Sequence, residues 1–498
     1  MLVSKPTPRT IELPPDRGTK YICEVAFVAA VLVVLIAPLV LMPILPAGPD
    51  SEKRELAEAP ELMHDGEFNE DVLSDAGAYL EDHFAFRQAF VELKATIDEY
   101  LFMTSATPNV VCGRDGWLYY SGEFNDYRRD NPMSDKAIEN VAINVALMQE
   151  AAITAGKRFV FVCPPNKSTV APNHMAPWQL AGEGPSNLER LEKRLYDYGV
   201  SFISCAGLLG PDDYFKRDSH WNDVGASRIA EVLLTSVGKQ VSFPWGTAVA
   251  SHDHVGDLDI MLHPLIRTTE PNMIEGAYEF FEITNEAKSV EENYVVCHSN
   301  VPGASGSVIV YRDSFSNNLA PPIATTFETS VFTKYLPYDM GEGQVGFADT
   351  IVVERTERHL FLLATDPSFM PGPTRNILSE GAPLRTATTV YAKPEGPYLR
   401  IEGTLDEIAE SQGGEIMVEL TRGDGTVDTH ACFHVSEQTF VPADYEGQDE
   451  EKDAPAKHIV GDAGYRCYIP LSANEVPRHV RVLVGSPQLA YCVSDVDL

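Results

Sequence analysis

Between Ser134 and Val353 the chain alternates short apolar, β-branched runs with segments of helical spacing, the pattern of a mainly parallel sheet flanked by helices. Buried parallel strands read as continuous apolar runs. Arg158-Phe159-Val160-Phe161-Val162-Cys163, Val200-Ser201-Phe202-Ile203, Ser307 to Tyr311 and Thr350 to Val353 fit that description. Ser134 is placed to cap a helix from Asp135 to about Ala155, stopped by Gly156. A second helix passes through Leu188 to Leu195, and a third runs from Val224 to Val237 with Ile229, Val232 and Leu233 on one face. Open α/β sheets do chemistry at the carboxyl ends of their strands. Two segments fall there, Asp218-Ser219-His220-Trp221-Asn222-Asp223 and Arg312-Asp313-Ser314-Phe315-Ser316.

The flanks differ from this body. Val25 to Leu45 is apolar throughout, about the 20 residues a helix needs to cross hydrocarbon. Lys5, Arg9, Arg17 and Lys20 precede it and Asp50 and Glu52 follow. The positive-inside bias then makes residues 1–24 a cytoplasmic tail, 25–45 a transmembrane anchor, and the body extracytoplasmic. Leu45-Pro46-Ala47-Gly48-Pro49 is a poor small-x-small cleavage site, which disfavours a removed signal peptide. Residues 46–60 read as a tether. Leu73, Leu80, Phe84, Phe90, Leu93, Ile97 and Leu101 predict one or two helices packing over the α/β domain, which we bound at 61–372.

After about Pro373 the runs become short and alternating, as in Tyr398 to Ile401, Glu415 to Leu420 and Val480 to Val484. This predicts a β-sandwich over 373–498, suited to glycan binding or assembly, with Gly447 to Lys457 as an exposed loop. A length of 498 residues accommodates these two domains. The net charge of −35 disfavours binding to nucleic acid or anionic lipid headgroups through bulk charge. Seven of the eight cysteines lie beyond the apolar segment and are read as small buried residues plus one or two bridges, with Cys432, Cys467 and Cys492 in one region. No phosphate-cradling motif is present, so no cofactor is assigned.

A serine hydroxyl is a weak nucleophile until a histidine takes its proton, and the histidine works best when a carboxylate holds its tautomer. Ser314, His220 and Asp218 supply those roles. Residues two apart in an extended loop point the same way, so Asp218 can reach the His220 imidazole without long-range placement. Trp221 is expected beside the imidazole, and Asn222 as a helix cap. Backbone N–H groups near Ser314, with the Asn317 or Asn318 side chain, are the expected oxyanion donors. Lys167, in the Pro164-Pro165-Asn166-Lys167 turn, is the expected contact for a sugar or carboxylate. His252-Asp253-His254 has a metal look, but is read as surface residues of a loop and no metal is assigned.

Asp-x-His-Trp-Asn-Asp-x-Gly-Ala, from Asp218 to Ala226, resembles the motif of the alginate O-acetyltransferase proteins of the AlgJ and AlgX type and of the related DHHW group. Gly113-Arg114-Asp115-Gly116-Trp117-Leu118-Tyr119, the Pro164 to Lys167 turn, and Asp349 to Leu360 with Glu354 and Arg358 are similar to further motifs of that family. The resemblance runs from about Glu52 to Ala364. It implies an SGNH-hydrolase-like domain with the Asp-His pair ahead of the serine, Ser314 as nucleophile, His220 as base and Asp218 as orienting acid. It also implies a polysaccharide acceptor, and a membrane-bound O-acyltransferase partner that delivers acetyl groups. Arg312-Asp313 departs from the Gly-Asp or Gly-Thr common before the family's serine. An esterase using the same triad with water, and a non-catalytic glycan-binding or assembly protein, are the alternative functions.

Overall fold

The computed structural model describes residues 17–45, 56–64, 67–130, 132–240, 249–275, 277–436, 461–472 and 477–498. Most of the expected cytoplasmic tail, residues 46–55 of the tether and the Gly447 to Lys457 loop lie outside them. The chain forms two compact units, Met1–Phe102 with Ile260–Arg267, and Met103–Asp259 with Thr268–Leu498.

In the first unit, α1 (Arg17–Leu41) contains a stretch, Lys20–Leu41, of 22 residues that is long and apolar enough to cross a membrane. It starts and ends earlier than the expected 25–45. Lys20 and Glu24 are good helix formers, whereas Pro43 disfavours helical backbone at Met42. α2 (Val72–His83) and α3 (Arg87–Ile97) bear out the helices expected upstream of Phe102. Between them Phe84 is extended and Phe86 is left-handed, at φ 63°, which breaks the helical run.

The second unit is built on a seven-stranded sheet. In chain order its strands are β1 (Arg158–Cys163), β2 (Phe202–Ser204), β3 (Phe281–Ile283), β4 (Tyr294–Ser299), β5 (Ser307–Tyr311), β6 (Thr329–Thr333) and β7 (Thr350–Glu354). Their spatial order is β2-β1-β7-β5-β6-β4-β3, parallel from β2 to β6 and antiparallel for the last two pairings. Helices α4 (Asp135–Thr154), α5 (Asn187–Asp197) and α6 (Asp223–Ser236) begin where capping chemistry places them. Ser134 Oγ accepts from Ala137 N, and Ser186 with Glu189 forms a capping box.

Side chains alternate across a strand, and the sheet sorts them accordingly. Val160, Val162, Val308, Val310 and Val352 share one apolar cluster with Ile229 and Leu233 of α6. Phe159, Phe161, Ile309, Ile351 and Val353 share the other with Val141, Val145 and Met148 of α4 and Leu191 of α5. Each such side chain contributes about 1.5–3 kcal/mol on burial, which makes the sheet a rigid base for its loops.

Among the described residues eight further strands follow: β8 (Tyr391–Glu395), β9 (Tyr398–Thr404), β10 (Glu415–Thr421), β11 (Val427–Ala431), β12 (Phe433–Val435), β13 (Gly464–Pro470), β14 (His479–Ser486) and β15 (Leu489–Asp497). They form two antiparallel sheets, β8-β9-β13-β12 and β11-β10-β14-β15. Leu399, Ile401, Cys467 and Ile469 from one meet Ile416, Val418, Val482 and Val484 from the other in a single apolar core, as in a sandwich. This region packs directly on the α/β body: Asn144 of α4 donates to His434 O at 2.8 Å and accepts from His434 N at 2.8 Å. The expected bridges are not formed: none of the eight cysteines is in a disulfide. Cys467 Sγ turns to Ala431 O at 3.7 Å and Cys492 Sγ to Ser494 O at 3.3 Å, so they act as small buried residues with weak donors.

Candidate active site

Asp218 and His220 sit on a tight loop between β2 and α6. Tyr214 bridges Trp221, Phe215 N donates to His220 O at 3.3 Å, and Asn222 N donates to Asp213 O at 2.8 Å. Asn222 also caps α6, its side chain accepting from Gly225 N at 3.0 Å. At the tip, the Glu270 carboxylate accepts from Lys216 N at 2.6 Å and Arg217 N at 2.7 Å. Gly256 passes so close beneath that a Cβ there would lie 2.1 Å from Arg217 O.

Lys167 is the correction that matters most here. It was expected to meet substrate at a turn, but it is fully buried, and its ammonium donates to Leu118 O (2.6 Å), Lys216 O (2.7 Å) and Asp218 O (2.9 Å). It lies 5.0 Å from the Trp117 ring centroid and 5.3 Å from that of Tyr119. The Gly113 to Tyr119 and Pro164 to Lys167 motifs therefore meet beneath the acid loop and hold its backbone. Burial pushes the Lys167 ammonium down to about 8, against the opposing pull of Glu123, Glu270, Asp218 and Asp257. Lys167→Met would take the ammonium from two buried carbonyls, Leu118 O and Asp218 O, while Lys216 O keeps the Leu118 N–H at 2.8 Å; at about 1–3 kcal/mol each, a drop of a few kcal/mol in denaturant-measured stability is expected. A midpoint equal to the wild type would show that the ammonium does not hold the loop.

The loop brings the predicted residues together. His220 Nδ1 lies 2.7 Å from Asp218 Oδ1, and His220 Nε2 lies 2.7 Å from Ser314 Oγ. Asp218 Oδ1 also accepts from His220 N at 2.9 Å, which fixes the spacing of the pair. Burial alone would raise the Asp218 carboxyl, but the charge and hydrogen bond of His220, joined by His254, hold it well below the usual range. For His220, burial is likewise outweighed by Asp218, which raises the imidazole above its ordinary value. This arrangement places the Nδ1 proton toward Asp218 and the Nε2 lone pair toward the Ser314 hydroxyl.

Ser314 opens one turn of 3₁₀ helix, Ser314–Asn317, just past β5. Asp313 pins that turn: its carboxylate accepts from Phe315 N and Thr356 N, both at 3.0 Å, and its own N–H donates to Glu354 Oε2 at 3.0 Å. Ser316 Oγ donates to the same Glu354 oxygen at 2.8 Å. The Arg312 guanidinium is buried away from the serine, donating to Glu292 O at 2.9 Å, to Val290 O, and to Asn317 Oδ1 at 2.5 Å. An arginine is thus accommodated where the family commonly has glycine. Asn317 Oδ1 accepts from Arg312, a contact that leaves its Nδ2 donor unused, whereas Asn318 Nδ2 gives an N–H to Asp223 Oδ1 at 2.6 Å. The Ser314 N–H makes no hydrogen bond among the described residues.

Trp221 is fully buried and donates to Phe315 O at 2.9 Å. It packs on Phe315 with ring centroids 5.3 Å apart, and Phe315 in turn lies 4.8 Å from the His220 ring. Trp221 therefore ties the base's loop to the serine's turn rather than facing substrate.

Two residues were missed. His254 belongs not to a surface loop but to the strand Val249–Val255, which pairs with Thr269–Glu275, and its Nε2 lies 3.0 Å from Asp218 Oδ2. Asp257 N donates to Asp218 Oδ2 at 3.1 Å, and the Asp257 carboxylate accepts from Ser219 N (2.7 Å) and Ser219 Oγ (2.6 Å). Donor atoms of Asp218, His220 and Asp257 lie within 4.8 Å of one another, a spacing that would admit a metal. Each carboxylate already has its own donors, and His220 faces Ser314, which fits a proton relay better than a ligand set. A cavity of about 710 Å³ between α4 and the C-terminal strands carries no triad residue, and its Arg375 is held by Glu150 and Glu415.

The mainly parallel sheet thus carries a serine, a histidine and an aspartate together on its carboxyl-end loops. Residues 110–307 match the family described as SGNH hydrolase-like domain, acetyltransferase AlgX, a stretch that includes Asp218 and His220 and ends before Ser314. The resemblance to AlgJ/AlgX-like proteins extends to individual sequences. "Probable alginate O-acetylase AlgJ" of Pseudomonas syringae pv. tomato is 25% identical over 181 residues, 33% of this chain and 42% of that protein. Its namesake from Pseudomonas aeruginosa is 26% identical over 169 residues, 31% of this chain and 40% of that one. The chain thus spans less than half the length of these relatives. The O-acetyltransferase domain of Pseudomonas putida AlgJ superposes with a TM-score of 0.35 at 18% identity, covering 51% of this chain and 93% of that one.

Proposed function

We propose that this protein is a membrane-anchored, extracytoplasmic O-acetyltransferase that modifies an exported polysaccharide through an acyl-enzyme on Ser314. The observation that supports this most is the unbroken chain from Asp218 through His220 to Ser314 Oγ, with both links at 2.7 Å. Ser314 Oγ attacks the carbonyl carbon of a donor acetyl ester while its proton passes to His220 Nε2. Negative charge develops on the carbonyl oxygen, and in this reading the Ser314 N–H is assigned as a donor to it. Collapse breaks the ester bond, the leaving oxygen takes the proton from His220, and acetyl-Ser314 remains. A sugar hydroxyl then gives its proton to His220, attacks the acetyl carbon and leaves with the acetyl group, and Ser314 recovers its proton. Asp218 keeps its charge throughout and stabilises the imidazolium.

In this reading α1 is the anchor, residues 61–372 carry the chemistry, and residues 373–498 help to present the polymer or to assemble the enzyme. A membrane-bound O-acyltransferase is the partner that supplies acetyl groups on the outer side. The full chain in detergent, given an acetyl ester and an oligosaccharide acceptor, is expected to form acetylated sugar seen by mass spectrometry. Acetate release that is unchanged by acceptor, with no acetylated sugar formed, would make the protein an esterase.

A further inference from the structure

We infer that His254 is a positioning residue of this site: its imidazole and that of His220 grip opposite oxygens of one carboxylate, Asp218, and this second grip fixes the acid's orientation. The inference rests on the triad reading above. Asp218 is almost fully buried, so its two oxygens must find donors within the protein. Oδ1 has His220 N (2.9 Å) and His220 Nδ1 (2.7 Å), while Oδ2 has His254 Nε2 (3.0 Å) and Asp257 N (3.1 Å). Four donors fill the capacity of an ionised carboxylate and leave it one orientation. Of the two on Oδ2, only His254 is a side chain that substitution removes cleanly.

His254 is itself held. Its ring stacks on Phe215, centroids 3.9 Å apart and planes 15° from parallel. Across its strand pair it faces Glu270, the residue whose carboxylate ties down Lys216 N and Arg217 N. One hairpin thus holds the acid loop twice, by its backbone through Glu270 and by its carboxylate through His254. The charged groups around His254 are Asp218, Glu270 and Asp223, with Asp257 and His220 reached through Asp218. Burial, the largest single influence, lowers His254, but the Asp218 hydrogen bond and charge together with Glu270 and Asp223 raise it overall. A neutral His254 leaves Asp218 its charge for the His220 imidazolium, whereas a protonated His254 cancels it. In this proposal the charge on His254 therefore reaches His220 through the one carboxylate both imidazoles contact.

The test compares full-length His254→Phe and His254→Gln with wild type and Ser314→Ala, measuring acetyl-ester turnover across pH and thermal melting. Phenylalanine keeps the stack on Phe215 but removes the donor, and a fall in kcat of about 10–100-fold with little change in KM is expected. Glutamine keeps an N–H without a titrating charge, so kcat is expected within about threefold of wild type, with the acid limb reduced from two coupled ionisations to one. If His254→Phe turns over like wild type while Ser314→Ala is inactive, the inference fails and the triad stands. If His254→Phe does not fold, the glutamine variant decides, and an acid limb identical to wild type overturns the inference. Full activity in Ser314→Ala would instead overturn the triad reading itself.

Discussion

Ser314→Ala is expected to lower acetyl-ester turnover by about 10⁵–10⁶-fold while leaving the fold intact, because serine and histidine in such a unit act together. The hydroxyl faces His220 Nε2 and no structural partner, so alanine strands nothing in the core. The turn that presents it is held by Asp313, Glu354 and Thr356, all untouched by the substitution. Stability is therefore expected within about 0.5 kcal/mol of wild type, as for a substitution outside the packed interior. Nitrophenol release from an acetyl ester, read beside a denaturant melt, separates lost chemistry from lost structure.

Asp218→Asn should cost nearly as much, about 10⁴-fold in kcat, for a different reason. An amide presents a donor where the His220 Nδ1 proton points, which disfavours the tautomer that leaves Nε2 free to accept from Ser314. The pH dependence carries the sign. His220 must be neutral to act as base, so activity is lost as pH falls through its pKa, which Asp218 raises above the ordinary value of about 6.5. Removing the carboxylate charge lowers that pKa, so the residual activity should persist to lower pH than in wild type. An acid limb that moved upward, or a kcat near wild type, would mean that Asp218 is not the partner of His220.

Much of this was legible in the chain because it rests on local signals. β1, β5 and β7 read as buried strands from their apolar runs, and α4 and α6 from a capping residue followed by helical spacing. The Asp218 and His220 pairing was legible for the same reason, since two residues on one loop carry their own geometry. What escaped depends on contacts that no short window contains. Lys167 sits in a turn, where a lysine is ordinarily solvated, and only the distant carbonyls of Leu118, Lys216 and Asp218 account for its burial. His254 lies in a strand that looked like a polar loop, and its role depends on a hairpin folding back on the acid loop. Of the asparagines after Ser314, Asn318 gives an N–H to Asp223, while Arg312 engages only the acceptor oxygen of Asn317, contacts that no short window of sequence shows.

The most direct test is to incubate the full chain with an activated acetyl ester in the absence of acceptor, digest it, and locate any acetyl group by mass spectrometry. The account predicts a single acetyl on the peptide containing Ser314, lost when an oligosaccharide is added and absent in Ser314→Ala. Turnover without that adduct, or an equal adduct in Ser314→Ala, would contradict it.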